Sequence, residues 1–399
     1  MEEGVKDIVN ENFIIKEDKK QLLIWRVLFI VAVVILVVIV ILYACGVGWK
    51  NKIKNQEEKK EDGGNKDKEK DKDYESILSL WKNDSLSKQN LISYMKEITN
   101  NSSSKYIPPE SRIATFDFDG TVFCETDTLY FDWLMYSYRV LDDPTYKSKA
   151  TADEQQLGRD IRSANIHNLR KDLQMRHANA YPRAFINMTF EDLDDYVKRY
   201  MKLPALGFDG MSRGEAFYEP MVQLIEYLQA NEFRVYFCSG SDRHILRTVV
   251  KSRLKLPDYQ ITGTIATVAA AGQPNRSDFN YEYAKDDYLV MGGEFKFKNV
   301  KMNKISLIKT EIGKKPVLSF GNSNGDYSMA RYITNNNPYE SRAFMICCDD
   351  EEREYGNITK ANIMKQKCAN ESWVAVSMRD DWIRIYKENV KKKSVRVLE

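Results

Sequence analysis

Histidine and cysteine are scarce in this chain. Three histidines (His167, His177, His244) and six cysteines are scattered through 399 residues, with no Cys-x-x-Cys pair and no Cys/His cluster at zinc spacing. This argues against a zinc centre and against a dense disulfide framework. A bridge from Cys347 or Cys348 to Cys368 stays open in an oxidising compartment. An excess of one charge is also lacking. Sixty Lys and Arg against 58 Asp and Glu leave a formal net charge of +2, so no nucleic-acid partner is expected. No internal repeat is visible. At 43% apolar and 30% charged, the chain can fill one large domain or two modest ones.

What is present is unevenly distributed. Residues 1–26 form a tail of mixed charge. Val27 to Trp49, "VLFIVAVVILVVIVILYACGVGW", is 23 residues without a charge, and a spanning helix needs about 20. We read it as one transmembrane helix, making the lipid bilayer a partner. It exceeds the apolar core of a secretory signal, about 7–15 residues. "LYAC" loosely resembles a lipoprotein processing site at Cys45, but Tyr43 is unusual there. Lys16, Lys19, Lys20 and Arg26 precede the span, and Lys50, Lys52, Lys54, Lys59 and Lys60 follow it. That count slightly favours a cytoplasmic C-terminal side, although large domains translocate largely regardless of charge. Residues 50–73 carry almost no apolar side chains and read as a solvated linker. Residues 74–399 then hold the globular part.

Within that part, Ile113 to Phe116 reads as a buried strand. "EPMVQLIEYLQANEF" carries a helical apolar stripe, and "RVYFCSG" is a second strand ending in Ser-Gly. "SDRHILRTVVKSRL" follows as a helix. "YQITGTIATVAAAGQ" looks like a strand with a turn, and "FNYEYAKDDYLVMGGEFKFKNV" alternates like a pair of hairpin strands. "NKISLIKTEIG" reads as a helix closed by Gly313. "KPVLSFGNSNGD" and "RAFMICCDD" add a third and a fourth apolar strand. The alternation predicts an α/β fold, with a parallel sheet covered by helices on both faces. In such sheets reactive groups gather at the carboxyl ends of the strands. Those ends carry Asp117 and Asp119, Ser239 and Gly240, and Asn322 and Asp326.

Two carboxylates one residue apart raise each other's pKa or must be neutralised. A hard cation with oxygen ligands does that, and magnesium prefers such ligands. One carboxylate can then attack phosphorus while its neighbour handles protons. Ser239 with the Gly240 N–H can hold phosphoryl oxygens. A lysine can neutralise the nucleophile and the transferring group, and Asp326 completes a cation site.

Asp-x-Asp-Gly-Thr at 117–121, a strand ending in Ser-Gly, a lysine and then "GNSNGD" together resemble the haloacid dehalogenase superfamily, in its aspartate-nucleophile phosphatase branch. The likeness runs from about Ser111 to Met329. "YEPMVQLIEYLQANEFRVYFCSGS" and "PVLSFGNSNGDYSMARY" are similar to bacterial phosphoserine-phosphatase-like acid phosphatases. "NPYESRAFMICCDDEEREYGN" and "WVAVSMRDDW" extend the match nearly to the C-terminus. The resemblance implies a Rossmann-like core with a mainly helical cap inserted at about 125–215. It implies Mg²⁺ and a small-molecule phosphate ester as partners. It makes Asp117 the nucleophile and Asp119 the acid/base whose main-chain carbonyl also meets the metal. Thr121 and Ser239 would contact phosphate. Lys304 would be the conserved-pattern lysine, with Lys301 as second candidate. Asp117, Asp119, Asn322 and Asp326 would form the metal side.

An acid at position 119 separates phosphatases and mutases from dehalogenases, phosphonatases and P-type ATPases, and no marker for a mutase cap is seen. One position departs from the pattern: Asn322 stands where an acid is usual, and an amide ligates without contributing charge. A phosphate-binding pseudoenzyme or scaffold is therefore the competing reading, with a phosphotransferase as a third. In the cap, Glu125 is placed to meet substrate, and Arg243 and Arg247, which begin the helix after Ser239, are placed to reach phosphate or a substrate carboxylate. His244 is expected to be structural, and Tyr130, Phe131, Trp133, Tyr136 and Tyr138 to pack an amphipathic helix. The likeness to exported phosphatases puts the catalytic domain of this single-pass protein on the extracytoplasmic side.

Overall fold

A computed structural model describes residues 78–275 and 280–394, all within the unit Tyr74–Glu399. The apolar run at 27–49, the charged linker at 50–73, the tail at 1–26 and Cys45 lie outside the described residues. Among the described residues, no helix is long and apolar enough to cross a membrane.

The described chain opens with α1 (Leu86–Thr99), which Ser85 caps by accepting the Lys88 N–H at 3.0 Å. Strand β1 (Ile113–Phe116) follows. Next come four helices, α2 (Phe131–Leu141), α3 (Ala152–Arg162), α4 (Leu173–Ala184) and α5 (Phe190–Met201), and the short strand β2 (Phe208–Asp209). Helix α6 (Glu219–Ala230) leads into β3 (Arg234–Asp242), and α7 (Arg243–Lys251) into β4 (Ile261–Ala270) and β5 (Leu289–Phe297). Helix α8 (Met302–Leu307) continues as a wider π turn through Ile312 and stops at Gly313, whose φ is +75°. Strand β6 (Leu318–Gly321), α9 (Tyr327–Thr334), β7 (Arg342–Cys347), α10 (Ile358–Glu371), β8 (Val374–Ser377), α11 (Met378–Asp381) and β9 (Lys391–Lys392) complete the order.

Seven strands form one sheet in the order β5-β4-β3-β1-β6-β7-β8, parallel except for the antiparallel edge strand β5. Along β7 the pleat sends Phe344 and Ile346 to the large core and Ala343, Met345 and Cys347 to the opposite face. Both faces are therefore covered, as a parallel sheet requires. A single register row crosses four strands. Phe116 pairs with Phe237 on one side and Phe320 on the other, and Phe320 with Phe344. The rings stack in sequence, with centroids 4.3 Å apart for Phe116–Phe320 and 5.0 Å for Phe320–Phe344.

Three expectations change. Among the described residues, 280–300 of the alternating segment is not a hairpin in itself. Only its second half is a strand, paired with β4, because Asp287 gathers the Ala284 and Gly272 N–H groups and the Tyr281 hydroxyl into a turn. Strand β8, within "WVAVSM", extends the sheet beyond the strands read from pattern. The five described cysteines are free thiols, so no Cys347 or Cys348 bridge to Cys368 is present.

The helices between β1 and β3 start from local signals. Thr151 and Glu154 form a reciprocal capping box on α3. Thr189 caps α5, with Glu191 and Asp192 in its first turn and Lys198 and Arg199 in its last. The loop between α4 and α5 is tied to the sheet edge, where the Asn187 N–H donates to Met291 O and the Met291 N–H to Met188 O, both at 2.9 Å.

Because Phe320 is sandwiched between two rings, Phe320→Ala is expected to lower the unfolding free energy by about 3–5 kcal/mol. Urea unfolding of the purified protein measures this. A loss below about 1 kcal/mol would show that the row is not part of the stabilising core.

Candidate active site

The phenylalanine row sets the height at which β1 and β6 release the chain. One residue later, the Asp117 N–H still donates to Phe320 O at 2.9 Å, so Asp117 stands at the end of the ladder. The chain then closes tightly, with the Thr121, Val122 and Phe123 N–H groups all directed at Phe118 O. Gly120 adopts φ +72°, which side chains other than glycine rarely take.

This turn opens a cleft of about 270 Å³ whose wall includes Asp117, Asp119, Glu125, Lys304, Asn322 and Asp326. Lys304 Nζ lies 2.6 Å from Asp117 Oδ1 and 2.6 Å from Asp326 Oδ1, with its side chain 2% exposed. The second oxygen of Asp326 accepts the N–H groups of Asn322 and Ser323 at 3.1 and 3.0 Å and the Ser323 hydroxyl at 3.1 Å. Gly321 makes room for this, since a Cβ there would fall 2.5 Å from Asp326 Cβ. The Ser241 hydroxyl donates to Asp119 Oδ2 at 2.6 Å, while Asp119 Oδ1 is buried with no hydrogen-bond partner. Glu125 Oε1 accepts from Asn322 Nδ2 at 3.0 Å.

The cleft holds more acid than base. Burial, then the neighbouring Asp326 carboxylate, push Asp117 up to about 7 against the opposing pull of Lys304. Burial and Asp117 push Glu125 up to about 7 as well. Asp119 is raised well above the usual carboxylate range by burial and by Asp132, with smaller contributions from Asp117 and Glu125. Burial opposes the charge on Lys304, but Asp117 and Asp326 outweigh it and hold the ammonium above its ordinary pKa. Lys298 is lowered by burial, and its ammonium donates to Gly240 O at 2.7 Å.

The structure thus brings together Asp117, Asp119, Lys304, Asn322, Asp326, Glu125 and Gly240. Lys301 sits exposed at the rim, in a strained backbone with φ +55°. Other expected contacts fall elsewhere. Ser239 is fully buried and its hydroxyl oxygen accepts the Ser241 N–H at 3.0 Å, so Gly240 and Ser241 form that wall. Thr121 is fully buried too, its hydroxyl 3.4 Å from Asn322 Oδ1. Arg243 is held by Glu311 at 2.7 Å and Arg247 donates to Asp258 O at 3.1 Å, and neither lines the cleft. His244 is structural: it packs on Phe190 with centroids 4.6 Å apart, and burial lowers its pKa to about 3. Tyr130 and Trp133 reach the cleft from the cap, whereas Phe131 and Tyr136 are core.

Three participants have no counterpart in the motif reading. Ser241 lies two residues after Ser239 on β3, so the period-two pleat could have flagged it. Lys298 follows an edge strand and Asp132 opens α2, and neither carried a local signal.

A magnesium ion fits this donor set. Among the described residues, no three His, Cys, Asp or Glu side chains form a metal-binding group by themselves. The implied set contains only two such side chains, Asp117 and Asp326, and adds the Asn322 amide and the Asp119 carbonyl, all hard oxygen donors. The orphaned Asp119 oxygen and the raised carboxylates mark a surplus of negative charge of the kind a cation offsets.

No protein-family model and no curated protein matches the chain. Solved structures are similar to it. One is a conserved protein of unknown function from Anaerococcus prevotii DSM 20548, 15% identical over 73% of this chain and 91% of that one, with a TM-score of 0.45. Cytosolic 5'-nucleotidase IIIB bound to cytidine is 11% identical over 76% and 88%, with a TM-score of 0.42. A phosphoserine phosphohydrolase-like protein from Francisella tularensis subsp. tularensis SCHU S4 is 15% identical over 66% and 94%, with a TM-score of 0.36.

The Glu125 pKa of about 7 lies above its ordinary 4.5, so the ionised carboxylate opposes folding. That penalty is complete above about pH 7, shrinks as pH falls and is gone below about 4.5. In EDTA, Glu125→Gln is expected to melt above the wild type by about 2 °C or more near pH 8, with the gap closing by about pH 5. Thermal denaturation followed by circular dichroism checks this. A variant melting at or below the wild type near pH 8 contradicts it.

Proposed function

We propose that this protein is a magnesium-dependent phosphomonoesterase of the haloacid dehalogenase type, acting on a small-molecule phosphate ester. The observation that supports this most directly is the buried bridge of Lys304 to Asp117 and Asp326 in a cleft that also holds Asp119. Such a pairing keeps Asp117 available as an anion despite its burial, which a nucleophile needs.

In this reading a carboxylate oxygen of Asp117 attacks phosphorus and the ester P–O bond breaks. Asp119, which burial and the Asp132 carboxylate raise well above the usual carboxylate range, gives a proton to the leaving alcohol. The aspartyl-phosphate on Asp117 is then hydrolysed by a water whose proton passes to Asp119. Lys304 offsets charge on Asp117 and on the phosphoryl oxygens throughout. The Gly240 N–H and the Ser241 hydroxyl stand on the wall where those oxygens would lie, and Ser241 also orients Asp119. Magnesium, held by Asp117, Asp326, the Asn322 amide oxygen and the Asp119 carbonyl, would neutralise developing phosphoryl charge. Tyr130 and Trp133 cover the cleft from the cap side and help exclude water.

Full-length protein is expected to hydrolyse p-nitrophenyl phosphate with Mg²⁺ and to lose activity in EDTA. Asp117→Asn should cost about a thousandfold or more in kcat. Phosphate binding without metal-dependent turnover across a panel of esters would replace this reading with a binding module. Transfer of the phosphoryl group to an added alcohol would make the protein a phosphotransferase.

We further propose that the apolar run at 27–49 anchors the chain and that the domain faces outward. The 23-residue charge-free stretch supports the anchor, and the likeness of the motifs to exported phosphatases supports the outward side. Protease added to intact cells should then degrade the domain. Protection until the cells are lysed would place it on the cytoplasmic side.

A further inference from the structure

Asn322 is the neutral member of an otherwise acidic set, and its surroundings are unusual. Its amide nitrogen donates to Glu125 Oε1 at 3.0 Å, and its amide oxygen accepts the Thr121 hydroxyl at 3.4 Å. The two contacts together define which way the amide faces. Glu125 comes from the loop after β1, and Asn322 from the loop after β6, 197 residues away. Among the described residues Glu125 makes no ion pair, and the Lys360 ammonium acts on its charge only from a distance.

The pair rests on a bare backbone. A Cβ at Gly120 would lie 1.9 Å from Asn322 Nδ2 and 2.6 Å from Glu125 Cδ. Together Glu125 and Asn322 form part of the wall between the catalytic cleft and an adjoining cavity of about 350 Å³. Asp119 Oδ1, buried and without a partner, faces the same cleft as an unused oxygen donor.

We propose that Glu125 is a positioning residue for the cation site. It holds the Asn322 amide with the oxygen turned inward, and it supplies through the hydrogen bond the negative charge that the amide lacks. A carboxylate hydrogen-bonded to a ligand fixes the ligand's orientation and raises its basicity. Here the ligand is an amide rather than an imidazole, and the charge has moved from the ligand's own position to a neighbouring loop. The inference rests on the preceding reading in one respect, that the cleft takes a divalent cation.

The test is direct titration of full-length protein with Mg²⁺ by calorimetry and with Mn²⁺ by electron paramagnetic resonance. Glu125→Gln keeps a hydrogen-bond acceptor for Asn322 and removes only the charge. It is expected to weaken cation affinity about 10- to 100-fold. The double variant Asn322→Asp/Glu125→Gln returns the charge to the ligand position and keeps a hydrogen bond across the pair, and it should recover wild-type affinity to within about threefold. Unchanged affinity in Glu125→Gln, or a double variant no tighter than the single, overturns the proposal, because a merely structural contact would behave that way. A wild type that binds neither ion overturns it as well. A wild type that binds cation, with the expected losses and rescue, yet hydrolyses no ester would leave this inference standing and sink the phosphatase reading alone.

Discussion

Everything at the site depends on one row of phenylalanine rings. Phe237, Phe116, Phe320 and Phe344 occupy matched positions on four adjacent parallel strands. A slip of one residue in any pair would turn a phenylalanine to the opposite face. The row therefore fixes the relative height of strands that come from distant parts of the chain. Asp117 and Gly321 follow it directly, and Ser239 and Gly240 lie two and three residues past Phe237. Catalytic geometry must hold to fractions of an ångström, and a stacked apolar row supplies that rigidity without placing a polar group in the core.

Against that rigid floor stands an electrostatic conflict. Four carboxylates, Asp117, Asp119, Glu125 and Asp326, share a buried cleft with Lys304 and Lys298. Burying ions costs more than pairing returns unless geometry and extra hydrogen bonds are good. Asp326 meets that condition through the Ser323 and Asn322 donors, whereas Asp117, Asp119 and Glu125 meet it only in part. Such groups are poor contributors to stability, and their raised pKa values record the deficit. A protein keeps an arrangement of this kind where charge must be ready before a ligand arrives, which is the general pattern of preorganised sites.

The strand ends were legible because a buried strand followed by Asp-x-Asp-Gly-Thr or Gly-Asn-Ser announces itself over a few residues. Lys304 was legible from its spacing ahead of Asp326. What failed to show were contacts whose partners lie far apart. Ser239 was singled out by its Ser-Gly pair, but Ser241, one pleat period further along, reaches the wall, while the Ser239 oxygen accepts the Ser241 main-chain N–H. Arg243 and Arg247 looked available because their acceptors, Glu311 and the Asp258 carbonyl, belong to other elements. The hairpin expected within 279–300 formed instead with β4. Alternation alone marks a strand, not its partner.

Asn322 shows the same limit at the level of chemistry. Read along the chain, an amide in an acidic position looks like a lost charge and an argument for a silent fold. Read in space, it touches a carboxylate that pattern matching assigned to the cap. What a cation experiences is the total charge within a few ångströms, not the identity of one motif position. A motif position can therefore give up its charge when another loop brings one to hydrogen-bond distance. The glycine at 120 is the condition for that exchange, since any side chain there would occupy the space in which Asn322 and Glu125 meet.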